Sequence, residues 1–231
     1  TIQDVAILAL ASLAETRDNE TGNHIRRTQK YVRALAVELR SHPRFADALT
    51  EEYIALLFKS APLHDIGKVG IADNILLKPG RLTPDEFTVM KLHATYGFEI
   101  LKDSSSTVLQ AGAAIALAHH EKFDGTGYPS GLKGKDIPIF SRIVAVADVF
   151  DALTSERPYK AAWSLERATE HIKAESGTHF DPECVNSFFE HWDEVLNIRK
   201  RFKDDHSLAK LHQENERPSI ASLAAAALPK G

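Results

Sequence analysis

An internal disulfide is excluded from this chain, because its 231 residues include one cysteine, Cys184, a usage that fits a reducing compartment. An excess of basic charge is missing as well. The formal net charge of -4 leaves no footprint for binding DNA by charge, although bound cations would invert the local field and admit a phosphate substrate. No apolar run is long enough to span a bilayer and no charged-then-apolar leader opens the chain, so membrane binding is not expected and a cytoplasmic location is. No alternating apolar/polar segment is long enough for a sheet. The first residue is Thr1 rather than methionine, as in a fragment of something longer.

What is present is helical periodicity. With 43% hydrophobic residues the chain can bury one substantial core, with or without an appendage. Residues 2–16 carry apolar side chains at Ile2, Val5, Ala6, Ala9, Leu10 and Leu13, and the run 5–11 is apolar all round, so this helix is expected to be buried or to pack on a partner. A second helix follows to about Leu39. Thr50 is placed to cap the helix expected to carry His64 and Asp65. Thr83-Pro84-Asp85-Glu86 combines an N-cap, a first-turn proline and a capping box, and Asp181-Pro182-Glu183 opens a helix expected to reach about Phe202. Residues 108–120 and 139–153 read as buried helices, and Ser164 starts another that Gly177 closes. From Asp204 the chain is polar and then Ala-rich, which predicts a weakly packed tail or a contact helix.

Histidines and carboxylates recur along this helical pattern. Glu20, His24, His64, Asp65, His93, His119, His120 and Asp148 are candidate metal ligands, arranged about one group per helix, and such sets face inward in helical bundles. Mixed imidazole and carboxylate donors suit iron, manganese, nickel or zinc. On one helix, His64 and Asp65 would project about 100° apart and could not chelate one ion as a face pair. They serve one cluster if Asp65 bridges two metals. Each residue alone has a bland explanation, as a hydrogen-bonded core histidine or a helix-end partner. His42, His171, His179, His191, His206 and His212 receive that bland explanation. Asp148 interrupts the apolar run 143–150, where a lone carboxylate is costly unless paired or metal-bound.

Two further segments suit a phosphate substrate. His120-Glu121-Lys122-Phe123-Asp124-Gly125-Thr126-Gly127-Tyr128-Pro129 predicts a rigid, turn-rich loop leaving directly from two candidate ligands, with Tyr128 able to stack on a base or donate to a phosphate. Arg157 and Lys160 offer two cations shortly after Asp148, and Lys68 lies about one turn beyond Asp65.

The segments Glu20-Thr21-Gly22-Asn23-His24, His64-Asp65-Ile66-Gly67-Lys68, His119-His120-Glu121, Gly127-Tyr128-Pro129, Asp148 with Asp151-Ala152-Leu153-Thr154, and Arg157-Pro158-Tyr159-Lys160 together resemble an HD-GYP domain of the HD phosphohydrolase superfamily. The resemblance covers about residues 4–198. It implies an all-α, HD-type helical bundle around a multinuclear metal centre that hydrolyses cyclic di-GMP to pGpG or GMP. It implies two or three divalent ions, most often iron and sometimes manganese or nickel. One ion would use His24, His64, Asp65 and Asp148, and the second would share Asp65 and add His93, His119 and His120. Glu20 would admit a third. Asp65 and Lys68 become the catalytic candidates, with Lys68 at the leaving ribose oxygen. Lys68, Tyr128, Arg157 and Lys160 become the substrate contacts. The resemblance also implies an upstream receiver or sensor domain and is compatible with a homodimer. Residues 1–17 are then a connecting helix, 18–203 the catalytic domain and 204–231 a tail.

Three alternatives stand beside this expectation. One is hydrolysis of another cyclic dinucleotide such as cyclic GMP-AMP. A second is a non-catalytic module that engages a protein partner through the Gly-Tyr-Pro loop, against which the intact ligand set argues. A third is a redox di-iron enzyme, against which Lys68, Arg157 and Lys160 argue.

Overall fold

The computed structural model describes residues 2–18, 22–156 and 161–203. Among them the architecture is all-α, and the sole β pairing is an isolated bridge between Ser176 and Phe180. The helices, in chain order, are α1 (Ile2–Thr16), α2 (Gly22–Ser41), α3 (Pro43–Ala46), α4 (Glu51–Ser60), α5 (Asp73–Leu76), α6 (Pro84–Leu101), α7 (Thr107–Ala118), α8 (Ile139–Thr154), α9 (Leu165–Ala174), α10 (Pro182–Glu190) and α11 (Trp192–Arg201). No described helix is long and apolar enough to cross a membrane. The expected tail, 204–231, lies outside the described residues.

Local chemistry sets the helix starts. The Thr83 hydroxyl accepts from the Glu86 amide while the Glu86 carboxylate accepts from the Thr83 amide, so α6 opens with a reciprocal capping box. Thr50, Ser164 and Asp181 cap α4, α9 and α10 through their side chains. The segment after Asp181 is two helices, not one, with a break at His191.

Two apolar clusters carry the bundle. The larger is built on α2 and α8, whose Tyr31, Val32, Leu35, Leu39, Ile143, Val146 and Phe150 are fully buried and pack against α4, α9, α10 and α11. Tyr31, Phe150 and Phe188 meet edge to face at its centre. The smaller joins Ile7 and Ala14 of α1 to Leu63, Ile66, Leu101, Val108 and Ala113. Among the described residues one side of α1 is covered: Ile7, Ala11, Ala14 and Glu15 are buried, whereas Ile2, Val5, Leu10 and Leu13 are exposed.

His64 and Asp65 are not on a continuous helix. α4 stops at Ser60, a 3-10 turn Ala61–Leu63 follows, and a second 3-10 turn runs from Ile66 to Gly70. His64 ends the first turn and Asp65 begins the second. Pro62 lacks an amide to continue an α-helix, and the break re-aims the two side chains.

The second turn lies directly on α6. A methyl group on Gly67 would come within 1.9 Å of the His93 carbonyl oxygen and 2.3 Å of the Gly97 amide nitrogen, both backbone atoms that cannot swing aside. Gly67→Ala is therefore expected to push this turn off α6 and to cost at least the ~1–3 kcal/mol of an overpacked core. Chemical unfolding of the variant measures that loss. Parent-like stability would show that the contact is not needed.

Candidate metal centre

The segments that meet at the seam of the two clusters each contribute a donor. His24 comes from α2, His64 and Asp65 from the junction of the two 3-10 turns, His93 from α6, His119 and His120 from the end of α7, and Asp148 from α8. They gather into two groups, His24 with His64 and Asp148, and Asp65 with His93, His119 and His120. In each group the donor atoms lie within 4.8 Å of one another.

Backbone and carboxylate acceptors fix which nitrogen each imidazole presents. Nδ1 of His64 meets the Ala61 carbonyl at 2.9 Å, that of His93 the Met90 carbonyl at 2.7 Å, and that of His119 the Ala116 carbonyl at 2.9 Å. A carbonyl oxygen only accepts, so these Nδ1 atoms carry hydrogen and the Nε2 lone pairs point into the site. Nδ1 of His24 is held in the same way by Asp151 at 2.8 Å. Outer partners of this kind orient metal-binding histidines.

Asp65 lies between the groups. Its Oδ1 is 3.3 Å from His93 Nε2 and 3.5 Å from His119 Nε2, while its Oδ2 is 3.4 Å from His64 Nε2 and 2.8 Å from Lys68 Nζ. On the other side, Asp148 Oδ1 is 3.5 Å from His24 Nε2 and 3.6 Å from His64 Nε2. Glu15 of α1 reaches to 3.7 Å from His24 Nε2.

The donor set fits divalent metal ions. His64 Nε2, His119 Nε2 and Asp65 Oδ1 are buried with no hydrogen-bond partner, an arrangement that is costly unless a cation sits among them. His93 Nε2 and His120 Nε2 face each other at 3.1 Å, which is about the spacing of two nitrogens sharing one ion at metal–nitrogen distances of about 2.1 Å.

The electrostatics agree. Burial pulls the His93 pKa down to about 4, with the His119 ring adding to the effect against the opposing pull of Asp65. Burial, then His119 and His93, hold His120 well below its ordinary value. Both rings are thus neutral, as a metal ligand must be. Burial opposes charge on His64, but Asp65 and Asp148 outweigh it and raise its pKa well above the usual value. Burial likewise opposes charge on Asp65, which Lys68 and His64 overcome and lower. A metal ion held by His64 would take the place of that proton, since the ligating ring must be neutral.

The loop after His120 forms one wall. Glu121 is buried and accepts from the Ser130 and Leu132 amides at 2.7 and 2.9 Å, drawing the loop over the histidines. A methyl group on Gly127 would lie 2.2 Å from the Lys122 nitrogen, so only glycine allows this closure. The Tyr128–Pro129 peptide is cis. The Tyr128 ring stacks on His120, with centroids 4.8 Å apart, and meets Phe87 edge to face. Lys91 Nζ lies 5.8 Å from its centre.

Lys68 sits beside Asp65, as the spacing predicts, and also pairs with Asp18. Glu20, Arg157 and Lys160 lie outside the described residues. Sequence reasoning did not assign Asp151, Arg27, Glu15 or Glu121. Asp151 accepts from both His24 and Arg27, and Arg27 adds bonds to the Phe202 carbonyl and Ser155. The available signal was helical spacing. Asp151 follows Asp148 by three residues and Arg27 follows His24 by three, so each shares a face with a ligand.

A family model for the HD domain matches residues 9–184. The chain belongs to the HD-domain family. It is an HD-GYP-like member closely related to bacterial cyclic di-GMP phosphodiesterases. It is similar to a cyclic di-GMP phosphodiesterase of Vibrio cholerae, 52% identical over 209 residues, which cover 88% of this chain and 42% of that protein. It is also similar to the 3'3'-cGAMP-specific phosphodiesterase 2 of Vibrio cholerae, 44% identical over 195 residues, covering 84% of this chain and 36% of the relative. The crystal structure of a cyclic GMP-AMP-specific phosphodiesterase of Vibrio cholerae has the same fold, with a TM-score of 0.59 at 21% identity over 97% of this chain and 54% of that one. The HD-domain chain thus spans less than half the length of these two sequence relatives.

Proposed function

We propose that this HD-domain chain is a metal-dependent phosphodiesterase that hydrolyses cyclic di-GMP to pGpG, GMP or both. The observation that carries the reading is Asp65, whose two oxygens face two separate groups of inward-pointing donors. His24, His64, Asp65 and Asp148 would hold one divalent ion. Asp65, His93, His119 and His120 would hold a second, and Glu20 a third. Iron is the metal that the HD-GYP resemblance favours, with manganese and nickel as substitutes, and the mixed imidazole and carboxylate donors are compatible with all three. Such ions, when bound, activate water for attack on phosphorus and stabilise charge on the phosphate oxygens.

The remaining work falls to the chain's own side chains. Lys68, held 2.8 Å from Asp65, is placed to donate a proton or a charge-assisted hydrogen bond to the leaving ribose oxygen. Tyr128, whose ring covers one face of His120, would stack on a base or donate to a phosphate. Arg157 and Lys160 would bind phosphate or guanine. Residues 18–203 are the catalytic unit in this reading. The HD-GYP resemblance would add an upstream receiver or sensor part joined through residues 1–17. A cytoplasmic location is in keeping with the single free, buried cysteine.

Lys68→Ala is expected to lower kcat by about ten- to a hundredfold, the size of a lost charge-assisted contact, while KM changes much less. Steady-state kinetics on cyclic di-GMP measures both. A raised KM with parent kcat would move Lys68 from chemistry to binding. The likeness to the 3'3'-cGAMP-specific relative favours cyclic GMP-AMP as the second substrate to assay. Side-by-side turnover of the two dinucleotides, with and without a chelator, tests the function. Metal-dependent release of linear product from cyclic di-GMP supports the reading, and binding without product would replace it with a binding module.

A further inference from the structure

The C-terminal end of α1 is tied to the 3-10 turn that bears Lys68. The Arg17 guanidinium donates to the carbonyl oxygens of Lys68 at 3.3 Å, Val69 at 2.6 Å and Ile71 at 3.1 Å, and to Asp73 Oδ1 at 2.6 Å. The next residue, Asp18, pairs with the Lys68 ammonium. These contacts join positions about fifty residues apart in sequence, so they are tertiary ties rather than local turns.

The turn has particular need of them. It runs only from Ile66 to Gly70, and its N-terminal residue is Asp65, whose side chain makes no cap hydrogen bond because it faces the histidines. A short 3-10 turn has poor internal hydrogen-bond geometry, so its shape depends on what holds it from outside. Packing of Gly67 on α6 fixes one side. Arg17 fixes the other through three carbonyl oxygens, a task suited to a planar fork of donors and not to a point charge. An ordinary surface Arg–Asp pair is worth little, but here one guanidinium spans the whole end of the turn. Asp18 then sets where the Lys68 ammonium rests. The ammonium stands between two carboxylates, Asp18 and Asp65, so its distance from the reacting centre depends on both.

We propose that Arg17 and Asp18 are positioning residues for the reaction, holding the backbone of the Lys68 turn and the Lys68 ammonium in place, a role that rests on the metal-dependent hydrolysis proposed above. Neither residue belongs to the donor set, so their loss leaves the ligands intact. The segment that follows α1 thereby helps to place Lys68.

The test uses Arg17→Ala and Asp18→Asn in the full metal-loaded chain, with three readouts: metal content, kcat and KM on cyclic di-GMP, and amide exchange of residues 66–71. Both variants are expected to keep the parent metal content and to lose about tenfold or more in kcat with KM changed by less than about threefold, as befits loss of charge-assisted contacts felt in the transition state. Arg17→Ala is also expected to speed amide exchange in residues 66–71 while α7 stays protected. Parent kcat in both variants overturns the proposal. So does a fall in kcat matched by a proportional loss of metal, which would make the role merely structural. If Arg17→Ala does not fold, Asp18→Asn, which keeps size and shape, decides by the same kcat and metal criteria. If the parent itself releases no linear product, the hydrolase reading fails separately, and the exchange data alone decide whether Arg17 holds the turn.

Discussion

Asp65→Ala is expected to strip metal from both donor groups at once and to abolish turnover. One carboxylate oxygen faces His93 and His119, and the other faces His64, so a single substitution removes a donor from each side. The loss of metal affinity should exceed the ~10–100-fold that follows from removing only an outer hydrogen-bond partner. Lys68 would also lose a carboxylate 2.8 Å away and with it part of its placement. Asp65→Asn keeps the shape without the charge and should behave nearly as badly, which separates the electrostatic contribution from packing. Metal content measured after anaerobic purification, together with turnover, checks both variants. Full metal content with parent activity in either would remove Asp65 from the centre.

Asp151→Ala is expected to do two kinds of damage. Arg27 is only 3% exposed, and Asp151 accepts from its Nε at 2.7 Å and its Nη2 at 3.0 Å. Removing the carboxylate takes from a buried guanidinium the charge partner of its Nε and Nη2, a change that costs about 3–5 kcal/mol. The corresponding fall in Tm is on the order of 10 °C for a domain of this size. His24 simultaneously loses the acceptor that fixes its Nδ1 hydrogen, so metal affinity should drop by about 10–100-fold. The pH dependence has a definite sign. Burial alone would raise the Asp151 pKa, but His24 and then Arg27 outweigh it and hold it below the ordinary carboxylate value. The group therefore contributes stability above about pH 4 that is lost as the pH falls through its lowered folded-state pKa. Unfolding measured from pH 7 downward should show this loss in the parent and not in Asp151→Ala. Equal acid sensitivity in the two would place the titration elsewhere.

How far these features could be read in advance follows from their range in sequence. The capping box at Thr83 and the caps at Thr50, Ser164 and Asp181 are local chemistry, and the structure has them where the residues indicate. The grouping of His24, His64, Asp65, His93, His119, His120 and Asp148 was legible because their number and spacing are properties of the sequence, whereas Glu20 lies outside the described residues. The termination of α4 before His64 was not read, although Pro62 carried the signal. The one-sided burial of α1 was not legible, since a helix apolar all round does not say which face the fold will cover. Arg27 and Asp151 escaped for a related reason. Their pairing spans 124 positions, and a buried arginine in sequence looks like any solvated one until its partner is placed beside it. Arg17 belongs to the same class, a charged residue whose meaning comes entirely from the carbonyl oxygens that the fold brings to it.

The most direct measurement is a time course of cyclic di-GMP with the anaerobically purified, metal-loaded chain, its products separated and identified by mass, run in parallel with Asp65→Ala. The account predicts linear pGpG, GMP or both from the parent and none from the variant. Unchanged cyclic di-GMP in the presence of fully metal-loaded parent, or equal product from Asp65→Ala, would contradict it.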